Sequence, residues 1–204
     1  MTKDETRIEI LKAAMELFAK NGFRGTTTRD LAAHANVNEA IIFRYFTNKT
    51  ELYRAILEEK VHQGRDEQYK EVEQLAQSSD PQTFLEFLGN KFLERHEQDS
   101  TFMRLLLFSA LEGHELADMF LGALAVRDPM VSYIERQMSE GTFRRIDPYL
   151  ATRAFLGMFV CHIQMQEIFG QKKKRDFERS EVVRTFVSIF LEGMRSEIRE
   201  VGCS

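Results

Sequence analysis

Residues 27–45 read TTRDLAAHANVNEAIIFRY, and the spacing within this stretch decides the fold. Thr27 followed three positions on by Asp30 is the pattern of a capping box, in which two side chains satisfy each other's free N–H groups at a helix start. Leu31, Ala32 and Ala35 then place apolar and small residues on one helical face. Asn36 supplies a residue that tolerates the left-handed turn geometry usually given to glycine, and Asn38 is an N-cap for a second helix with Ile42 turned inward. The spacing predicts helices over 28–35 and 39–45 separated only by Asn36-Val37-Asn38. Helices joined so briefly cross steeply and make a helix-turn-helix, whose second helix fits a DNA major groove.

Outward from this stretch the helical period continues. Ile8, Leu11, Met15 and Phe18 form one stripe, Leu116, Met119, Phe120, Ala123 and Leu124 another, and Val183, Phe186, Val187, Phe190, Leu191 and Met194 a third. No strand-like alternation bounded by turns appears, so an all-α chain is expected, with helices near 5–21, 28–35, 39–45, 49–77, 81–98, 101–112, 115–126, 129–140, 148–169 and 180–199. All three prolines follow an aspartate, at Asp80-Pro81, Asp128-Pro129 and Asp147-Pro148, the order of an N-cap carboxylate and a first-turn proline. Asn48 with Glu51 reads as a second capping box, and Gly64 is a point where the long helix over 49–77 can bend or break.

Composition narrows the class. The chain has 204 residues with 43% hydrophobic and 29% charged side chains, enough apolar material for a packed core and too much for disorder. Its longest non-polar run, Ala154 to Cys161, is too short to cross a bilayer, and the charged N-terminus lacks the apolar segment of an export signal. Cys161 and Cys203 make neither a disulfide framework nor a zinc set, so a soluble protein of the reducing cytoplasm is expected, with no membrane partner, metal or cofactor. The overall charge of −4 hides an asymmetry: residues 1–49 carry eight Lys/Arg against six Asp/Glu, and the remainder twenty against twenty-six. Clustered positive charge is what phosphates select, and the excess lies with the helix-turn-helix.

The longer stretch 18–52, FAKNGFRGTTTRDLAAHANVNEAIIFRYFTNKTEL, resembles the DNA-binding segment of TetR-family transcriptional regulators, the likeness extending over about residues 8–57. The resemblance implies a homodimeric repressor that binds palindromic double-stranded operator DNA through residues 1–48. A variable helical region over 49–204, with 49–77 as connecting helix, would dimerise and release the operator on binding a small hydrophobic effector. It also implies that Lys49 contacts a phosphate and that Glu39, Ala40, Ile41, Phe43, Arg44 and Tyr45 form the DNA-facing side of the second helix. The residues agree: Thr27 and Thr28 sit at a helix N-terminus that favours phosphate, and one turn in Arg29 reaches a phosphate or a guanine edge. The chain departs from the family pattern at Asn36, Asn38, Ile41 and Phe43. At the last two, contact with a thymine methyl is expected in place of hydroxyl contacts.

Beyond residue 80 large soft side chains accumulate. Phe84, Phe92, Met103, Phe108, Phe120 and Met158, with the polar His96, His162 and Gln166, are the candidate effector residues, although the same apolar side chains would equally fill a core. Glu112, His114 and Glu115 around Gly113 read as an exposed loop rather than metal ligands, and the basic run after Gly170 as a solvated connection. Helix 148–169 is apolar nearly all round, so Ala151, Ala154, Gly157, Met158 and Cys161 are expected to pair with Val183, Val187, Phe190 and Met194 in a two-fold interface. The rival is a helical enzyme or interaction module built on Cys161, His162 and Glu167 without DNA contact. Against it, adjacent helical positions point about 100° apart.

Overall fold

The computed structural model describes residues 3–63, 66–78, 80–113 and 129–196. They form ten α-helices, α1 (Lys3–Asn21), α2 (Thr28–His34), α3 (Glu39–Tyr45), α4 (Lys49–Gln63), α5 (Asp66–Ser78), α6 (Pro81–Gln98), α7 (Thr101–Leu111), α8 (Pro129–Ser139), α9 (Pro148–Ile163) and α10 (Arg179–Met194), besides a π turn (Gln164–Ile168) and a short 3-10 turn (Gln171–Lys173). No strand occurs among the described residues, where one antiparallel bridge links Phe143 to Arg195, so the all-α expectation holds. The helix expected over 115–126, with Phe120, lies outside the described residues, as do Asp128 as a cap, His114 and Glu115.

Local chemistry sets the helix starts. Thr27 Oγ1 accepts from the Asp30 N–H (3.1 Å) and Asp30 Oδ2 from the Thr27 N–H (3.0 Å), completing the capping box. Asn38 Oδ1 accepts from Ile41 (2.9 Å), Asp147 Oδ1 from Leu150 (3.0 Å), and Asp80 Oδ1 from both Gln82 and Thr83. The box expected at Asn48 differs: Asn48 caps Glu51, but the Glu51 carboxylate reaches back one residue further, to the Thr47 N–H (2.6 Å). Asn36 adopts the left-handed conformation, at φ 52°, that turns α2 into α3.

Two expected helices are corrected. Over 49–77 the described residues form two helices, α4 and α5, and Gly64, the expected point of a bend or break, lies outside the described residues. The helix expected to reach residue 169 is α-helical only to Ile163. It then widens into a π turn over Gln164–Ile168, where the Phe169 N–H bonds the Gln164 carbonyl five residues back (2.9 Å). The wider turn buries Gln166 and leaves Met165 and Phe169 exposed.

The chain divides into two compact units, Met1–Tyr69 with Asp99–Arg127, and Lys70–Gln98 with Asp128–Ser204. In the first, α1 to α4 and α7 enclose Ile10, Leu11, Ala14, Phe18, Leu31, Ile42, Leu52, Tyr53, Phe102 and Leu105. The α1 stripe is therefore rotated from its expected position: Ile10 and Ala14 replace Ile8, which is exposed. Phe18, Phe23 and Tyr53 pack as a cluster, the Phe18 and Tyr53 rings meeting edge to face at 4.8 Å.

In the second unit, Phe84, Leu85, Leu93, Tyr133, Ile134, Phe155, Phe159 and Ile163 share one core with the inner face of α10. That face consists of Val183, Val187, Phe190 and Met194, all at most 6% exposed, and Ala151 is 2% exposed. These five residues, expected at a two-fold interface, belong instead to the unit's own core, because α6 and α9 supply the covering surface. Close approach depends on Gly89 of α6, where an added Cβ would lie 2.7 Å from Phe159 Cζ and 3.3 Å from Val183 Cγ1. Gly89→Val is expected to destabilise the protein by about 1–3 kcal/mol through overpacking, read as a lower midpoint in urea at unchanged slope. A midpoint equal to that of the wild type would show that Phe159 and Val183 yield without cost.

Candidate nucleic-acid interface

The helix-turn-helix is held by the loop that precedes it. α1 is followed by Gly22, whose φ of 74° suits glycine, and Thr26, fully buried, donates its hydroxyl to the Gly22 carbonyl (2.8 Å). Opposite charges then grip the loop backbone. The Glu112 carboxylate, just past α7, accepts from the N–H groups of Phe23 (2.9 Å) and Arg24 (3.3 Å). The Lys49 ammonium donates to the carbonyls of Phe23 (2.7 Å) and Thr26 (2.9 Å) and lies 4.2 Å from the centre of the Phe23 ring. Partial burial lowers the Lys49 pKa, and the nearby Glu112 charge opposes that shift. Tyr53 packs below, its hydroxyl donating to the Leu105 carbonyl (3.3 Å) and its pKa raised by burial to about 12.

Two sequence expectations change here. Lys49, expected to present its charge to a phosphate, has two of its three ammonium protons on backbone carbonyls, so its place in the fold is to fix the loop before α2. Glu112, expected in an exposed loop, is half-buried and clamps that loop. Its partners lie 88 and 89 residues away in sequence, so no local pattern announces the contact.

The outward surface of α2 and α3 is smaller than the set expected from sequence. Thr27, Arg29, Glu39, Ala40, Phe43 and Arg44 are exposed, Phe43 by 49%. Ile41 and Tyr45 are partly buried and pack on the core of the first unit, so Ile41 is not a free base-reading side chain. Neither threonine hydroxyl is idle: Thr27 Oγ1 donates to Asp30 (2.6 Å) and Thr28 Oγ1 to Glu39 Oε2 (2.7 Å). The Arg44 guanidinium lies over the Tyr45 ring at 5.5 Å, directed by the end of α3.

The expected effector residues are divided between the two units. Met103 and Phe108 belong to the first unit, while Phe84, Phe92, His96, Met158, His162 and Gln166 belong to the second. Phe84 is fully buried, stacked on Tyr133 at 4.1 Å, and is core. Phe92 and His96 are partly buried, with rings 4.5 Å apart. His162 and Gln166 line a cavity of about 310 Å³ beside the π turn, with Glu97, Glu167, Lys172, Asp176, Phe177, Glu178 and Arg179. Two ion pairs cross its rim, Arg179 to Glu97 (2.8 Å) and Lys172 to Glu167 (3.0 Å). Partial burial lowers the His162 pKa against the opposing Glu97, Glu167 and Asp176 charges, and its ring meets Phe177 and Phe186 edge to face. The Gln166 Oε1 is buried without a hydrogen-bond partner. Of the expected set, the polar His162 and Gln166 line this cavity, while Phe84 is spent on the core.

Comparison with known proteins fits this architecture. Residues 10–56 match the family of bacterial regulatory proteins of the tetR type, and residues 84–193 match the C-terminal domain of AefR-like transcriptional repressors. The second match alone covers more than half of the chain, which therefore belongs to the TetR family of transcriptional regulators. It is 54% identical over 52 residues to the uncharacterised regulator YvkB of Bacillus subtilis, covering 26% of this chain and 28% of that protein. It is 31% identical over 117 residues to the repressor Rv3405c of Mycobacterium tuberculosis, covering 57% of this chain and 53% of that one. The chain thus spans about half, or less, of the length of these relatives. Among solved structures, FadR of Bacillus subtilis in complex with stearoyl-CoA shares the fold at a TM-score of 0.73 and 18% identity, over 92% of this chain and 99% of that one. No helix among the described residues is long and apolar enough to cross a membrane.

Proposed function

We propose that this protein is a cytoplasmic, effector-responsive repressor that binds palindromic operator DNA as a homodimer. The observation that carries the reading is the exposed, cation-flanked face of α3, held by a loop whose backbone is clamped from both sides. Residues 1–48 supply every DNA contact in this reading, from Arg29 at α2 and from Glu39, Ala40, Phe43 and Arg44 on α3. Residues 49–204 supply the dimer and the effector site.

For dimerisation, the face of α9 left open by the second unit carries Leu150, Ala154, Gly157 and Cys161 and is continued past the helix by Met165 and Phe169, with Ile189 exposed on α10. The spacing of three and four residues is that of a helix seam, and the small side chains at its centre permit close approach to the same helix of a second copy. For the effector, the side of α9 bearing Met158, His162 and Gln166 offers apolar surface beside a polar cavity, which suits a small molecule with an apolar body and a hydrogen-bonding end.

Arg29→Ala and Arg44→Ala test the DNA face. Each is expected to weaken operator binding by on the order of tenfold with fold and dimer intact. An arginine that neutralises a phosphate also steepens the salt dependence, so its removal should flatten the slope by about one unit. Fluorescence anisotropy with a labelled operator at several salt concentrations measures both, and equal affinities at matched salt would count against this face.

A further inference from the structure

We infer that Glu39 is a base-reading residue that makes the operator carry a cytosine at one fixed position under each α3, followed by thymine where Ala40 and Phe43 approach. This deepens the DNA-binding reading above and rests on it.

The exposed surface of α3 has an unusual inventory. Glu39, Ala40, Phe43 and Arg44 face outward, while Ile41, Ile42 and Tyr45 face the core. No exposed position of this helix carries Asn or Gln, which read adenine by paired hydrogen bonds, or a serine or threonine hydroxyl. The only donor side chain exposed on it is Arg44, at its C-terminal end. The residues near the N-terminus of a recognition helix are the ones that meet base edges, and here they begin with a carboxylate.

A carboxylate on a surface that approaches phosphates is repelled unless it accepts a hydrogen bond there. In the major groove the amino group of cytosine is the donor that Glu is suited to accept. Glu39 is also fixed in place: Thr28 Oγ1 donates to its Oε2 at 2.7 Å, tying the side chain to the start of α2. Its Oε1 and the second lone pair of Oε2 are left for a base. One helical turn on, Phe43 is 49% exposed and lies on the same outward side as Ala40, so an apolar patch follows the carboxylate along the helix. Apolar side chains recognise the thymine methyl.

The test is an unbiased selection from a random duplex library by the full chain and by two variants, Glu39→Gln and Glu39→Ala, with melting temperature measured in parallel. The wild type should enrich cytosine at one position per half-site, with thymine one or two steps away. Glu39→Gln keeps an acceptor for Thr28 and gains a donor, so its preference should move from cytosine to adenine. Glu39→Ala should lose the preference there, binding the former consensus and its cytosine-substituted mismatches within about threefold of each other, where the wild type separates them by on the order of tenfold. The same base at that position for all three proteins would overturn the inference and leave Glu39 as a brace for α2, with affinity changing equally on every sequence. Failure of the wild type to enrich any sequence would instead overturn the DNA-binding reading on which the inference stands.

Discussion

Glu112→Ala is expected to weaken operator binding by an order of magnitude or more, although residue 112 lies just past α7 and outside the reading surface. The substitution removes the acceptor for two backbone N–H groups, of which that of Phe23 is part-buried. A hydrogen bond to a charged group contributes about 1.5–3 kcal/mol, and the more exposed Arg24 bond falls below that range. A decrease of about 2 kcal/mol in stability follows, and the loop that sets the entry to α2 then loses its carboxylate clamp and keeps the bonds from Lys49 and Thr26 and the packing of Phe23. Because Thr27 caps α2 directly after this loop, loosening it displaces Arg29 and, through the short turn at Asn36, α3. Glu112→Gln retains a carbonyl acceptor and should restore most of the stability and part of the affinity. The distinguishing measurement is operator affinity well below the melting temperature together with the amide resonances of Phe23 and Arg24. A variant that melts earlier but binds as tightly as the wild type would reduce Glu112 to a stabilising contact.

Gly157→Arg has the opposite signature. The Cβ position at residue 157 has no neighbour within 4 Å, so the single chain accepts a side chain there, and replacing glycine within α9 adds up to about 1 kcal/mol of helix propensity. Two copies paired along α9 would bring two arginines together at the point of closest approach. The expected result is a folded monomer by light scattering, with operator affinity reduced to that of a single head. A dimer that persists at micromolar concentration would place the interface on another face.

Sequence alone resolves the features whose causes are local. The Thr27/Asp30 box, the Asn38 and Asp147 caps and the left-handed Asn36 each depend on residues within three or four positions, and each stands where the spacing puts it. The stripe of Val183, Val187, Phe190 and Met194 is equally legible as a stripe. Its partner is not, because the choice between an internal helix and a second copy depends on Gly89 allowing α6 to approach, which no periodicity in α10 encodes. The π turn after Ile163 and the inward rotation of Gln166 leave no compositional trace in an apolar helix. Glu112 and Lys49 escape for a related reason: both carry charge near predicted helix ends, where solvent exposure is the ordinary outcome, and their actual partners are backbone groups of a distant loop.

The first unit is assembled from two separated stretches of chain, since Phe102 and Leu105 of α7 complete the core begun by α1 to α4. On a ribosome, the reading head therefore emerges well before the helix that closes it, and the nascent chain must carry an open apolar flank through the synthesis of α5 and α6. A fragment cut after residue 48 would keep α1 to α3 and lack the wall that Leu52, Tyr53, Phe102 and Leu105 build behind them.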